Sequence, residues 1–396
     1  MFLFASIFGA VLTAVTLPLI LELALVTFAG FLPVKSRRKN GSADVAFHLA
    51  VVIPAHNEQI LITRCVRSIR ESLAGNTRIL VIAHNCTDAT AENARAAGAE
   101  VLVYDDPKAS GKGHALRHGF EHALTQQADG VLVVDADSTV SPNLIRLVQQ
   151  TMAEGAQAVQ CRYEMHSVTD KPNARLASLA FRGFNVIRPR GRSRLGLSAG
   201  ILGNGFGLSR TTLQEIPYEA FSVVEDLEYH IHLVTKGKRV RFIDEATVSA
   251  ELPESTEGEN TQRARWEGGR LHVARTWSGK LLKRILGGHI RLIEPLLDLA
   301  GLPMAYAVFA LLIAICLPVT WVRIYGLISI AVIALHVLSA AWAGPDFAGT
   351  LILLAKAPLY ILWKLRLIPG VLRGSSAKAK WVRTDRNSSL AERNLT

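Results

Sequence analysis

The chain has 396 residues, enough for one large domain or two to three smaller ones, of which 49% are hydrophobic, and its formal net charge is +11. Lys35, Arg37, Arg38 and Lys39, together with the seven cations from Lys364 to Arg386 less Asp385, carry ten of those eleven charges, so the body of the chain is nearly neutral. A nucleic-acid protein spreads basic residues over its folded surface, so nucleic acid is not expected as a partner; charge packed beside apolar runs points to membrane lipids instead.

The first predicted element, Phe2 to Val34, is apolar except for Glu22 and exceeds the ~20 residues a bilayer crossing needs. Its basic cluster follows the apolar run, unlike a cleaved signal, so the N-terminus is expected outside and the chain after Lys35 in the cytoplasm. Glu22 is expected to snorkel towards the interface. The domain boundaries read from the sequence are a transmembrane helix at 1–34, a cytoplasmic α/β domain at 46–258 and amphipathic interfacial helices at 259–300. A transmembrane hairpin at 301–343 and an interfacial helix with a basic cytoplasmic tail at 344–396 complete the chain. Within the hairpin the predicted spans are Leu302 to Thr320 and Ile324 to Ala343, broken at Val322-Arg323. Lys356, Lys364 and Arg366 make Leu351 to Leu372 read as a helix lying in the interface, and Trp321, Trp342 and Trp363 fall where rings prefer headgroups. Cys65, Cys86, Cys161 and Cys316 show no paired metal spacing, and free cytoplasmic thiols are expected.

Between Ala46 and Ala250 short aliphatic runs alternate with helical patterns, the signature of a mainly parallel α/β sheet. The predicted strands are "LAVVIPA", "RILVIAH", "EVLVYD", "GVLVVDAD" and "AQAVQCRYEM"; helices are expected over Glu58 to Leu73, Ala89 to Ala97, Lys112 to Gln126 and Pro142 to Met152. Ligands of such sheets sit beyond the carboxyl ends of the strands, where this chain places "PAHNE", "HNCTD", "DDPKASGKGHAL" and "DADS". No Gly-x-Gly-x-x-Gly follows the first strand, and Asp106 and Gly113 break a P-loop pattern. Lys112 between two glycines opens a helix, an arrangement in which amides, dipole and ammonium converge on a phosphate.

Asp135 and Asp137 end the fourth strand. A capped turn through Ser138 or Ser141 accounts for such a pair, but if the strand continues past Val134 both carboxylates face one way and need a cation or a hydroxyl between them. Beside Lys112, a metal-bound diphosphate and hence a nucleotide-linked substrate is the leading expectation. Glu225 and Asp226 stand at the start of a helix whose dipole is expected to keep Asp226 ionised and available as a general base. Gln262, Arg265 and Trp266 share one face of a later helix, fitted either to the bilayer surface or to a diphosphate and a sugar ring.

The ordered set "PAHNE", "GKGHAL", "DAD", "VED" and "QRARW", with apolar segments at both ends and the tail "WVRTDR", resembles the membrane-bound family-2 glycosyltransferases. That group includes cellulose, chitin-oligosaccharide and hyaluronan synthases and bacterial exopolysaccharide transferases. The resemblance runs from Ala50 to Arg386 and implies a GT-A fold, Rossmann-like and nucleotide-sugar-binding, with inverting transfer from a UDP-linked sugar using Mg or Mn. It implies that Asp137 binds the metal with Asp135 near it and the ribose. Pro54, Ala55 and Glu58 would hold the nucleoside and Lys112 would lie by the nucleotide. Asp226, next to Glu225, would deprotonate the acceptor. Arg265, Trp266 and Gln262 would flank diphosphate and acceptor, and Gly203, Asn204 and Gly205 would support the acceptor. The family's acidic base contact is replaced here by Ala83-His84, so His84 is a different base contact and the nucleoside is less narrowly defined than the diphosphate.

The implied setting is a bacterial inner membrane with a saccharide or lipid-linked acceptor, and a partner subunit or second copy if the product is a long chain. A processive synthase is the nearest alternative. An inactive membrane-tethered binding subunit and a nucleotidyl- or phosphotransferase are the others, though the last gives no account of "QRARW".

Overall fold

The computed structural model describes residues 2–32, 46–109, 111–167, 170–252, 256–366 and 368, with the side chains of 256–261 and 264 left out. The basic cluster at 35–39 and the tail from Arg373 onwards lie outside the described residues. The chain divides into two compact units. One, the sheet unit, is built from 46–167 and 198–259; the other, the helical unit, from 2–32, 170–197 and 260–366. The expected 46–258 domain is therefore interrupted, because 170–197 packs with the apolar helices.

In chain order the elements begin with α1 (Phe2–Ala29), β1 (Leu49–Ala55), α2 (Ile62–Glu71), β2 (Thr77–His84), α3 (Thr90–Ala96), β3 (Glu100–Tyr104) and α4 (Lys112–Thr125). There follow β4 (Gly130–Val133), β5 (Thr139–Val140), α5 (Leu144–Ala153), β6 (Ala158–His166), α6 (Pro172–Arg182) and α7 (Arg188–Arg194). Next come β7 (Phe206–Ser209), α8 (Arg210–Glu215), α9 (Glu225–Thr235), β8 (Val240–Glu251) and α10 (Thr256–Leu286). The chain continues through α11 (Ile293–Ala300), α12 (Met304–Cys316), α13 (Thr320–Trp342), α14 (Phe347–Leu354) and α15 (Ala357–Leu365).

The sheet has eight strands in the order β3-β2-β1-β4-β7-β6-β8-β5 among the described residues. The first four are parallel, as their aliphatic runs predict, but β7 is antiparallel to both neighbours and β5 to β8, so the sheet is mixed. Leu49, Val51 and Ile53 pack with Ile62, Cys65 and Ile69 of α2 and Leu144, Ile145 and Val148 of α5. Ala50 and Val52 face the other way, towards Leu116 and Phe120 of α4 and Tyr229 and Leu233 of α9. Burial on both faces explains why β1 reads as an unbroken apolar run rather than an alternation.

In the helical unit α1 (28 residues) and α13 (23 residues) are each long and apolar enough to cross a membrane. Among the described residues the count rises to four if two bent pairs are each one span: Ile290–Ala300 with Met304–Cys316, bent by 81°, and Phe347–Leu354 with Ala357–Leu365, bent by 59°. The hairpin expectation needs correction here. The break falls at 317–319 and Val322-Arg323 lies inside α13, while α12 has only 13 residues. At 1.5 Å per residue α12 is about 20 Å long, short of the ~30 Å hydrocarbon core. Leu19, Ile20 and Leu23 of α1 pack with Ala307 and Leu311 of α12 and Ile333 of α13.

Two further expectations change. Glu22 does not reach the interface; it is fully buried, accepting 2.8 Å hydrogen bonds from Arg188 Nε and Arg192 Nη2. Arg188 also donates to Asp298 Oδ1 at 3.0 Å and Arg270 Nη2 to the same oxygen at 2.6 Å, while Arg192 pairs with Glu294. Lys364, which the sequence puts on a helix lying in the interface, is paired within the protein. Its ammonium lies 2.7 Å from Glu267 Oε1, and Arg263 donates to the Tyr360 hydroxyl at 2.7 Å with Trp363 against its guanidinium, so α15 is clamped to α10 and Trp363 is turned inward.

Candidate active site

The four parallel strands deliver their carboxyl ends to one edge of the sheet unit. After β1 and β2 the chain makes interlocked loops. Asn57, in left-handed backbone at φ 56°, accepts the Thr87 N–H at 2.7 Å, Glu58 N–H donates to Thr90 Oγ1 at 2.7 Å, and His56 Nδ1 meets the His84 carbonyl at 2.8 Å. Glu58 consequently sits in the turn before α2 and not in the helix expected to begin with it. Pro54 and Ala55 end β1 beside this turn.

His84 is buried. Its ring stacks on Tyr104 at 4.9 Å, Tyr104 stacks on His118 at 4.4 Å, and the Asn85 amide is 3.2 Å from Nε2. Burial lowers its pKa, so the ring is held neutral. It underlies the loop, and Asn85, whose amide also donates to the Asp106 carbonyl at 3.0 Å, links it to the β3–α4 segment.

The strand carrying Asp135 stops at Val133, which corrects the expected extension past Val134. A turn follows: the Ser138 N–H donates to the Asp135 carbonyl at 3.0 Å and the Ser138 hydroxyl to Asp137 Oδ1 at 3.0 Å. Asn204, 1% exposed, holds this turn with both ends of its amide, accepting the Asp135 N–H at 3.1 Å and donating to Ser138 Oγ at 2.8 Å. Gly205 belongs to the β4 edge, its N–H donating to the Val133 carbonyl at 2.9 Å. Asn204 and Gly205 thus support Asp135 and Asp137, in addition to the place at the acceptor that the family resemblance implies for them.

Lys112 begins α4 and donates to Asp135 Oδ1 at 2.5 Å and to the Gly203 carbonyl at 2.6 Å. The second glycine of "GKG" has a steric cause: a methyl on Gly113 would collide with the Ala220 carbonyl oxygen. Glu225 and Asp226 form the first turn of α9, with Leu227 N–H on Asp226 Oδ1 at 2.8 Å. Gly203, at φ 78°, brings its backbone so close that a Cβ there would be 3.1 Å from Asp226 Oδ2. The helix dipole does not keep these acids at ordinary values. Burial pushes Glu225 up to about 7, against the pull of Lys112, and burial also raises Asp226 above the usual carboxylate range. Lys112, despite the cost of burial, is held up by Asp135, Glu225 and Asp226 and stays charged.

The structure therefore gathers Lys112, Asp135, Gly203, Glu225 and Asp226 around one point, with Asp137, Asn204 and Gly205 adjoining. Asp135 and Asp137 are partly exposed and offer the hard oxygen donors that Mg or Mn take. No group of three or more His, Cys, Asp or Glu among the described residues encloses a cation. The donor set accordingly fits an ion that completes its shell with substrate phosphate oxygens. Gln262, Arg265 and Trp266 lie on α10 in the helical unit, all partly buried, with Trp266 edge-on to Phe181 at 5.4 Å.

One residue at this site escaped the sequence. Tyr218 is 3% exposed, its ring lies 4.6 Å from Tyr229 of α9, and its hydroxyl has no hydrogen-bond partner among the described residues. Only its position a few residues before the acid pair could have drawn notice.

A sequence model of the family described as "Glycosyltransferase like family 2" matches residues 47–269. "Probable glycosyltransferase YdaM" of Bacillus subtilis (strain 168) is 25% identical over 246 residues, 59% of this chain and 58% of that protein. "Glucomannan 4-beta-mannosyltransferase 7" of Arabidopsis thaliana is 24% identical over 175 residues, 43% of this chain and 32% of that one. The chain thus spans less than two thirds of the length of either relative. Among solved structures, "Mannosyltransferase PcManGT from Pyrobaculum calidifontis in complex with GDP-Man and Mn2+" matches with a TM-score of 0.53 at 18% identity, over 95% of this chain and 99% of that one, a likeness of fold.

Proposed function

Because the chain belongs to the glycosyltransferase-like family 2, we propose that it is an inverting membrane glycosyltransferase that moves a sugar from a nucleotide donor to a lipid-linked or membrane-delivered saccharide at the inner face of a bacterial inner membrane. The supporting observation is the convergence of a charged lysine, a carboxylate turn and a half-buried acid pair at the carboxyl ends of the parallel strands. Asp226 acts as the base that takes the proton from the acceptor hydroxyl as it attacks the anomeric carbon. Lys112, freed from Asp135, balances charge developing on the leaving diphosphate, a role that the family resemblance also implies for Arg265. Asp137 and Asp135 would hold Mg or Mn, which supplies Lewis-acid stabilisation of the same diphosphate. Pro54, Ala55, Glu58 and the His84 loop bind the nucleoside, and Gln262 and Trp266 contact the acceptor side.

UDP-linked sugars are the first donors to test and GDP-mannose the second, since two of the similar proteins are named for mannosyl transfer. Purified protein in detergent with Mn would be given UDP-glucose, UDP-galactose, UDP-N-acetylglucosamine and GDP-mannose in turn. Release of nucleoside diphosphate from one of them is expected, and release from none would remove the proposal. Product sizing separates addition of one sugar, the preferred outcome, from processive synthesis.

A further inference from the structure

Tyr218 and Ser222 carry hydroxyls that are buried and have no hydrogen-bond partner among the described residues, and both precede the Glu225-Asp226 pair by less than eight positions. Buried polar groups are ordinarily satisfied, so each exception asks for a cause. Ser222 is tied to α9 by its backbone, its N–H reaching Glu228 Oε2 at 3.3 Å. Tyr218 is held by its ring, edge-on to Phe120 at 5.2 Å and tilted against Tyr229 at 4.6 Å. Phenylalanine would make the same ring contacts without burying an unmatched hydroxyl.

The location of the ring is informative. Tyr229 lies four residues after Glu225 on the same face of α9, and helical side chains tilt towards the N-terminus, so a ring packed against Tyr229 lies near the turn that carries the acids, close enough for both carboxylates to act on its phenol. Burial first, then the Glu225 and Asp226 carboxylates, push the phenol well above its ordinary value, so it is a donor at any working pH. The charged groups around the pair are Lys112 from α4, Asp135 from the turn after β4, and Glu228 on α9 itself. Of these only Lys112 is a cation.

We propose that Tyr218 is a positioning residue for the acid pair: when the donor diphosphate draws Lys112 away, the Tyr218 hydroxyl donates to the Glu225 carboxylate and keeps the pair from taking up a proton. This rests on the transferase reading above. Without that donor, and with Lys112 turned to the diphosphate, the two acids would have only the cation at Asp135 and Asp137 to favour their ionised form; they would take up a proton at higher pH, and Asp226 would be a weaker base. No bond other than hydrogen bonds forms or breaks in this step.

The experiment compares the full-length wild type with Tyr218→Phe in detergent, using whichever of UDP-glucose, UDP-galactose, UDP-N-acetylglucosamine and GDP-mannose the wild type turns over with Mn. The variant is expected to unfold at the same or a higher temperature, to keep its donor KM, and to lose about tenfold in kcat. The acid limb of its kcat profile is expected to move about one pH unit upward, because a lost donor favours the protonated acid. Unchanged kcat and limb beside an active wild type would overturn this inference alone. So would a lower unfolding temperature, which would show that the hydroxyl has a structural partner. A wild type that turns over none of the four donors would overturn the transferase reading and this inference with it.

Discussion

The helical unit and the sheet unit each bury a cluster of charged side chains, and they settle those charges differently. In the helical unit Glu22, Glu294 and Asp298 meet Arg188, Arg192 and Arg270, three acids against three guanidinium forks, nearly all of it out of water. In the sheet unit one ammonium, Lys112, faces Asp135, Glu225 and Asp226, the acids are pushed towards protonation, and the Tyr218 hydroxyl is unmatched. A balanced and hydrogen-bonded cluster has no capacity for a further ion. A cluster with surplus negative charge at a partly exposed edge has room for a cation and a use for a proton, which is the difference between holding a fold and performing chemistry.

The largest effect that would break this comparison is in the helical unit. Glu22→Gln leaves Arg188 and Arg192 short of a counter-charge, and removal of one partner from a buried ion cluster costs about 3–5 kcal/mol. Thermal unfolding in detergent is expected to show a large loss of stability, with turnover per folded molecule retained. Tolerance of the substitution would mean that the network is not closed. Asp226→Asn should do the reverse. Transfer is expected to fall by roughly 10²-fold or more while donor binding and unfolding temperature hold, because a neutral isostere removes the base without opening a cavity. Wild-type turnover in that variant would assign the base elsewhere.

Asp137→Ala sharpens the sheet-unit side. Its carboxylate is oriented by the Ser138 hydroxyl, in a turn that Asn204 holds, so its loss should abolish the Mn dependence of UDP or GDP binding while leaving the turn in place. Calorimetry with and without Mn reads this directly, and equal Mn dependence in both proteins would move the metal to other ligands.

The sequence made much of this legible, though unevenly. β1 and β2 were readable because strands buried on both faces need long aliphatic runs, and the GT-A class was implied by the family resemblance that the motifs behind them carry. The mixed half of the sheet was not. β7 is four residues long inside "GNGFGLSR", where three glycines argue for a loop, and it is made a strand by antiparallel pairing with β4 and β6. The turn at Asp135 was misread as strand because its partner, Asn204, is 69 residues away. Glu22 was misread for the same reason, since Arg188 is 166 positions along the chain and a lone acid in an apolar run carries no mark of it. The residues of "VED" and "GKGHAL" were visible as types; the burial that raises the acids, and the orphaned phenol beside them, belong to packing alone.

The smallest expected effect tests whether surplus negative charge really costs the sheet unit stability. Glu225 has its pKa raised by burial from an ordinary 4.5 to about 7, so the folded protein holds this proton more tightly than the unfolded chain does. Below about pH 4.5 the group is protonated in both states and contributes nothing. As pH rises towards 7 the unfolded chain has already lost the proton, the folded state must either keep it or bury a charge, and stability falls; above 7 the penalty is complete. Glu225→Gln removes the group from this balance. Its unfolding temperature should match wild type at pH 4.5 and exceed it by roughly 2–4 °C at pH 8, with the gap opening between those values. A constant gap across pH would show that Lys112 already neutralises Glu225 in full, and the two units would then differ in the number of their charges but not in how well those charges are compensated.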